Sequence, residues 1–235
     1  MRITNDLLSS IDHGVASALV ALDLSSAFDC VCHSKLLSRL NTDFGVSGSA
    51  LDWTSSYLSN RTQCVSVDDS LSGLSASVAG VPQGSVLGPL LFTAYVAPIG
   101  RVIEGFGVNY HSYADDITLY VGLGSERATQ CMEDCTTAVS EWFMDNDMLL
   151  NPSKSESMLT GTKCQLDRAA GSSIKVAGSC VALSGKIKIV GVTFDNDLSF
   201  TCHVTEVVKN CNYHIKSLRS YPTIARYEFC EDCCM

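Results

Sequence analysis

Four residues, Tyr113-Ala114-Asp115-Asp116, constrain this chain more than any other stretch. They lie between two short runs rich in β-branched and aromatic side chains, residues 108–113 and 117–121, which suit a pleated, half-buried surface. A tight connection between two such strands puts Asp115 and Asp116 at or beside the tip of a hairpin. Two carboxylates held there repel each other unless a cation lies between them, so the pair points to a divalent metal. Asp is also a common turn residue, and these four positions alone leave that plainer reading standing.

The rest of the chain supplies the context. Residues 16–24 (ASALVALDL) are a short apolar run closing on Asp23, the pattern of a buried strand. Helical spacing follows twice, with Leu36, Leu37 and Leu40, then with Leu51, Trp53, Tyr57 and Leu58. Residues 61–67 and 74–81 read as strands around an Asp-Asp-Ser turn. Pro82 and Pro89 restrict the loop that follows, while Gly84 and Gly88 admit unusual dihedrals. An apolar helix is predicted over 90–103, with Pro89 in its first turn. Beyond the Asp-Asp hairpin, an amphipathic helix over roughly 125–144, capped by Ser125, sets Ala128, Met132, Cys135, Val139 and Phe143 on one face. A turn at 149–154, a short strand at 157–160, a strand at 187–194 interrupted by Gly191 and a helix over 201–219 complete the reading. Strands and helices alternate irregularly and the hairpin implies antiparallel pairing, so the fold class is α+β.

Hydrophobic residues make up 46% of the 235 positions and charged residues 17%, the balance of a folded protein. No apolar run approaches the roughly 20 residues of a membrane helix, and the first residues lack a signal peptide's apolar core. An intracellular location is expected, with the 12 cysteines as reduced thiols rather than a disulfide framework. The net charge of −9 argues against nucleic-acid binding on its face. The charges are unevenly spread, however. Through Gly122 there are 5 basic and 11 acidic residues, whereas from Lys163 to Arg219 there are 8 basic and 4 acidic. An acidic half that gathers metal-binding carboxylates and a more basic stretch after it suit an enzyme that handles phosphates.

If the strand ending at Asp23 neighbours the hairpin, Asp23, Asp115 and Asp116 converge on one sheet edge. Carboxylates so placed are ligands for two divalent ions about 3.5–4 Å apart, which clamp the oxygens of a phosphoryl displacement. Mg2+ suits such a site, using one or two carboxylates per ion and completing its shell with water and phosphate.

Ala21-Leu22-Asp23-Leu24-Ser25-Ser26-Ala27-Phe28-Asp29, then Gly80-Val81-Pro82-Gln83-Gly84-Ser85-Val86-Leu87-Gly88-Pro89-Leu90-Leu91-Phe92, then Tyr113-Ala114-Asp115-Asp116 resemble polymerase motifs A, B and C. Their order and spacing are similar to those of reverse transcriptases from non-LTR retrotransposons of the Jockey or CR1-like kind. Residues 149–155 (LLNPSKS) resemble motif D, and residues 189–195 (IVGVTFD) resemble the strand region of motif E, the primer grip. Five motifs in one order are far more specific than one Asp-Asp pair.

The resemblance implies a palm with an antiparallel sheet packed on helices, and RNA-templated DNA synthesis from dNTPs on a DNA primer. It implies two Mg2+ ions, replaceable by Mn2+, held by Asp23, Asp115, Asp116 and the Leu24 carbonyl. Phe28, five residues after Asp23, corresponds to the steric gate against a ribose 2′-hydroxyl. Gln83, Gly84 and Tyr113 fall where nucleotide and template are bound, Lys154 where the leaving pyrophosphate is neutralised, and Val190 and Gly191 at the primer grip. Asp29 is read as the cap of the helix beginning near His33. Nucleus and cytoplasm are the compartments implied.

The pattern departs from the family at both ends. Only about 20 residues precede Asp23, so the basic fingers are expected to be missing apart from a last strand, and the resemblance fades after about Tyr221. Residues 1–200 are expected to be the palm with a remnant of fingers, and 201–235 the start of a thumb or a divergent tail. Cys211-x2-His214 and Cys230-x2-Cys233 have a zinc-like spacing, which 12 scattered cysteines also produce by accident. Two other readings stay open: a catalytically inactive remnant, and a group II intron maturase, which shares Tyr-Ala-Asp-Asp. Viral RNA polymerases usually carry Gly-Asp-Asp and a different gate, against Tyr113 and Phe28.

Overall fold

A computed structural model describes residues 2–68, 70–169 and 173–219. Helix α1 (Arg2–Asp12) buries Ile3 and Leu7, one turn apart. Strand β1 (Ser17–Leu22) is buried along nearly its whole length, and β2 (Leu24–Ser25) resumes after Asp23. A 3₁₀ turn over Ala27–Cys30 leads to α2 (His33–Thr42) and α3 (Ser49–Leu58). An exposed arm follows, with strands β3 (Arg61–Gln63), β4 (Ser66–Val67), β5 (Ser70–Leu71) and β6 (Ser75–Ser77). Helices α4 (Gly88–Val96) and α5 (Ile99–Glu104) precede the hairpin of β7 (Asn109–Tyr113) and β8 (Asp116–Gly122). Then come α6 (Ala128–Asp145), β9 (Leu149–Leu150), β10 (Glu156–Thr160) and α7 (Lys163–Arg168), the last with a Thr162/Gln165 capping box. The chain continues through β11 (Ser173–Val176), β12 (Ser179–Ser184), β13 (Lys186–Ile189), β14 (Val192–Asp195) and α8 (Thr201–Arg219).

Six strands form one sheet in the order β11-β12-β10-β1-β8-β7. All neighbours are antiparallel except β10 and β12. Because successive strand residues face opposite sides, β1 serves two cores. Ala18, Val20 and Leu22 join Ile117, Leu119 and Leu159 against the helical layer, which includes Phe92, Tyr95, Met132, Val139 and Phe143. Leu19 sits opposite both Met158 and Tyr120 on the other face, where Ile3 and Leu7 of α1 and Ile187, Ile189 and Phe194 cover them. The Tyr120 hydroxyl donates to Asp6 at 2.6 Å, pinning α1 beneath the sheet, and burial followed by the Asp6 bond pushes its pKa up. A sheet enclosed on both faces has little freedom of register, since a one-residue slip would exchange the two cores.

The α+β class and the buried face of α6 agree with the sequence reading. Four local expectations are corrected. The predicted helix over 90–103 is two helices, because Pro98 lacks the N–H that would continue α4 and instead stands at the N-cap of α5. Residues 187–194 are a hairpin, β13 paired with β14 and Ile189 opposite Val192, so Gly191 turns the chain rather than interrupting one strand. Helix α6 begins at Ala128 with Arg127 at its N-cap, leaving Ser125 outside as a carbonyl acceptor for Ala128 N–H. The segment before β1, expected as a last strand of fingers, is the amphipathic helix α1. Among the described residues no helix is long and apolar enough to cross a membrane.

Candidate active site

The three acidic residues meet where β1 ends and the β7–β8 hairpin turns. Tyr113 pairs with Asp116 across that hairpin, so Ala114 and Asp115 are its two-residue tip. Ala114 takes a positive φ of +53°, a conformation hairpins normally give to Gly and one that costs an L-residue about 1–2 kcal/mol. The ladder between β1 and β8 runs to Leu22 opposite Ile117, and the next residues on each strand are Asp23 and Asp116. Packing removes part of the water around the Asp116 carboxyl, and the charges of Asp115 and Asp23 add to the effect, raising its pKa. That response marks the three carboxylates as electrostatic neighbours, and a dication among them would oppose it.

Asp23 is fixed through its backbone. Its carbonyl accepts from Asn151 N–H at 2.8 Å, and its N–H donates to Ser155 Oγ at 3.2 Å. Beside it Leu24 pairs with Leu150 and Ser25 with Leu149, so motifs A and D form one small two-stranded unit. Lys154 lies in the turn between Asn151 and Ser155, exposed, its N–H bonded to the Asn151 carbonyl at 3.2 Å. Sequence reasoning passed over both holders of Asp23: Ser155 uses a short polar side chain of the type that bonds backbone, whereas Asn151 uses only its backbone N–H, which no side-chain signal marks.

A second junction joins motif A to motif B. The Phe28 ring is half-buried against Phe92 of α4, with centroids 4.8 Å apart. The Phe28 carbonyl accepts from Val81 N–H at 2.8 Å, and Gly80 N–H donates to the Val31 carbonyl at 2.8 Å. Gly80 has φ +88°, and a Cβ there would stand 3.0 Å from the Asp29 and Phe28 backbones, so only glycine permits this approach. His33 Nε2 lies 2.7 Å from the Gly80 carbonyl. Gln83 Nε2 donates to Asp29 Oδ1 at 2.9 Å. Asp29 is therefore not the cap of α2, whose N-cap is Cys32: the 3₁₀ turn carries the Asp29 carboxylate towards motif B instead. Gly84, at φ +74°, is exposed, and Tyr113 is 63% exposed beside Asp116.

Val190 and Gly191 form the tip of the β13–β14 hairpin, both at positive φ, and Val190 packs into the core beneath the sheet. Val190 thus packs against that second core rather than at the end of the sheet where the three carboxylates meet, and Gly191 is exposed. Cys211 and His214 are exposed on α8, while Cys230 and Cys233 lie outside the described residues. Among the described residues no three His, Cys, Asp or Glu side chains are gathered closely enough to form a ready-made metal cage. A cleft of about 520 Å³ opens beside the motif A–B junction rather than over the carboxylates, and Asp29, His33, Arg61 and Gln83 line it.

The reverse transcriptase (RNA-dependent DNA polymerase) family model matches residues 2–194. The chain is 28% identical over 224 residues to the probable RNA-directed DNA polymerase from transposon BS of Drosophila melanogaster, covering 93% of this chain and 24% of that protein. It is likewise 28% identical over 222 residues to the RNA-directed DNA polymerase from mobile element jockey of the same organism, covering 88% and 22%. The chain thus spans about a quarter of the length of the curated relatives it matches. Among solved structures, apo telomerase from Candida tropicalis truncated from its C-terminal domain superposes with a TM-score of 0.59 at 14% identity, over 85% of this chain and 37% of that one. Candida albicans telomerase in complex with a fragment of telomeric RNA gives 0.58 at 12% identity, over 84% and 34%. These likenesses show the palm fold, and with the family match over residues 2–194 the chain belongs to the reverse transcriptases.

Proposed function

We propose that this chain is the palm of an RNA-directed DNA polymerase of a non-LTR retrotransposon, adding dNTPs to a DNA primer on an RNA template. The observation that supports this most is the meeting of Asp23 with Asp115 and Asp116 at one sheet end, from stretches about 90 residues apart in a chain with the family's motif order. The family uses divalent metal ions. The donor set fits Mg2+: hard carboxylate oxygens from Asp23, Asp115 and Asp116 and the Leu24 carbonyl, with no closed cage required because Mg2+ keeps water and phosphate oxygens in its shell. Two such ions, when bound, supply charge stabilisation for the attacking and leaving oxygens of the displacement.

The remaining work falls to the chain. The Phe28 ring, held by Phe92, closes the space a ribose 2′-hydroxyl would need. Gln83, anchored by Asp29, and Gly84 and Tyr113 offer surfaces to nucleotide and template. Lys154, on the turn that holds Asp23, donates a proton to the leaving pyrophosphate or neutralises it. Val190 and Gly191 steady the primer strand. Residues 1–200 act as palm with a remnant of fingers, and 201–235 as the start of a thumb or a divergent tail. Nucleus and cytoplasm are the compartments in which such an element works.

Primer extension by the full 235-residue chain on an RNA template, with Mg2+ or Mn2+, tests the reading. Incorporation is expected, and Asp115→Asn should lower it roughly 10³-fold with the fold intact by circular dichroism. A folded preparation that incorporates nothing at any metal concentration identifies an inactive remnant. An Asp115→Asn variant as active as the parent removes the assigned mechanism.

A further inference from the structure

We propose that Trp53, Tyr57 and Arg61 form a stacking platform for unpaired bases of single-stranded RNA leaving the cleft beside Gln83, a reading that rests on the RNA-templated function above. Trp53 and Tyr57 stand one turn apart on α3, their rings nearly parallel at 12° with centroids 5.6 Å apart. Arg61, a further four residues on, holds its guanidinium 4.4 Å above the Tyr57 ring and donates from Nε to the Tyr57 carbonyl at 2.6 Å. Trp53 and Tyr57 are i, i+4 neighbours on α3, and Arg61, which opens β3 just after the helix ends, adds a cation to the two rings at the base of the arm.

The ladder is accessible at its Trp53 end. That side chain remains 58% exposed, an unusual state for the largest apolar ring when core packing is its only use. Among the described residues no carboxylate pairs with Arg61, whose charge stays available to a phosphate. Arg61 also lines the cleft of about 520 Å³, together with Gln83, Asp29 and His33. The platform thus begins where the motif A–B junction ends, and a strand emerging from the cleft meets cation, ring and ring in succession. The cleft wall is polar, with Thr62 and Gln63 beside Arg61, unlike the apolar socket that receives a protein anchor residue. Asp52 precedes Trp53 on the helix, so stacking rather than a broad positive field provides the affinity.

Only two tryptophans occur in the chain, Trp53 and Trp142. In the full chain carrying Trp142→Phe, titration with single-stranded oligouridylate and oligoadenylate is expected to quench Trp53 emission saturably. Trp53→Ala should weaken RNA binding roughly tenfold without changing its salt dependence, and Trp53→Phe should restore most of the affinity. Arg61→Ala should flatten the log–log salt slope by about one. Absence of saturable quenching, or Trp53→Ala binding RNA as the parent does, overturns the platform and leaves this face to a protein contact. Quenching without primer extension leaves the platform standing and removes the polymerase reading; extension without quenching does the reverse.

Discussion

The end of the central sheet and the two projections of this molecule are built on opposite terms. At the sheet end, Asp23 and Asp116 continue strands buried on both faces, and further bonds from Asn151 and Ser155 hold Asp23. Among the described residues the strands of the β3–β6 arm bury none, and neither does α8. The arm exposes Val65, Val67, Leu71 and Leu74, and α8 exposes Val204, Val208, Tyr213 and Leu218. Carboxylates that must face one another need a scaffold that cannot slip. Surfaces that meet a long substrate or a neighbouring domain need reach: local strand pairing shapes the arm, and Glu206 ties α8 to Lys186 and Thr193 of the β13–β14 hairpin. Position is secured in the first region, and apolar surface is kept for contact in the second.

Substitutions at the junctions test that contrast most severely. Gly80→Ala combines a left-handed backbone with a Cβ against the Asp29 and Phe28 backbones, and should cost about 3 kcal/mol in urea unfolding. A cost near that of a surface change would mean that motifs A and B are not rigidly joined. Asp195 secures another boundary, where the β13–β14 hairpin gives way to α8. Burial alone would raise its pKa, but Phe200 N–H at 3.1 Å, Ser199 Oγ at 2.9 Å and other bonds outweigh it and hold the carboxyl below the usual carboxylate range. A depressed pKa contributes stability that is present above the unfolded value and lost as pH falls through the folded one. Asp195→Ala should therefore cost about 1–3 kcal/mol at pH 7, the gap to the parent closing as pH drops below about 4. A gap independent of pH would show that the carboxylate's charge contributes nothing. The smallest effect is expected in the arm. Replacing residues 64–74 with Asn-Gly, which closes the Gln63–Ser75 pair by a two-residue turn, should change stability by no more than about 0.5 kcal/mol. A large loss would place the arm within the folded core rather than beyond it.

The features legible in the sequence were those written in short stretches. The Asp115–Asp116 hairpin shows in its β-branched and aromatic flanks, and α6 in the spacing from Ala128 to Phe143, all of whose named positions are buried. Pro98 was visible but its break was not, because the apolar run on both sides masked it. The β13–β14 hairpin was missed because Val190 adopts a φ of +46°, against the preference of a β-branched residue, and tertiary packing sustains it. The bonds of Asn151 and Ser155 to Asp23, and of Gln83 to Asp29, join residues far apart in the chain and leave no periodic trace. Motif order located the acidic residues; the means by which each is held emerged only from the fold.

The register of β1 also carries a consequence for how this protein is made. Ser17 pairs with Gly122 on one side and Thr160 on the other, so both partners of the strand follow it late in synthesis. At a translation rate of about 5–20 residues per second, β1 waits roughly 5–20 s for its first neighbour and longer for its second. Through that interval Ala18-Leu19-Val20-Ala21-Leu22, uncharged and apolar throughout, has two open edges. The strand that delivers Asp23 to the site is thus a segment of the nascent chain that needs shielding until its neighbours are made.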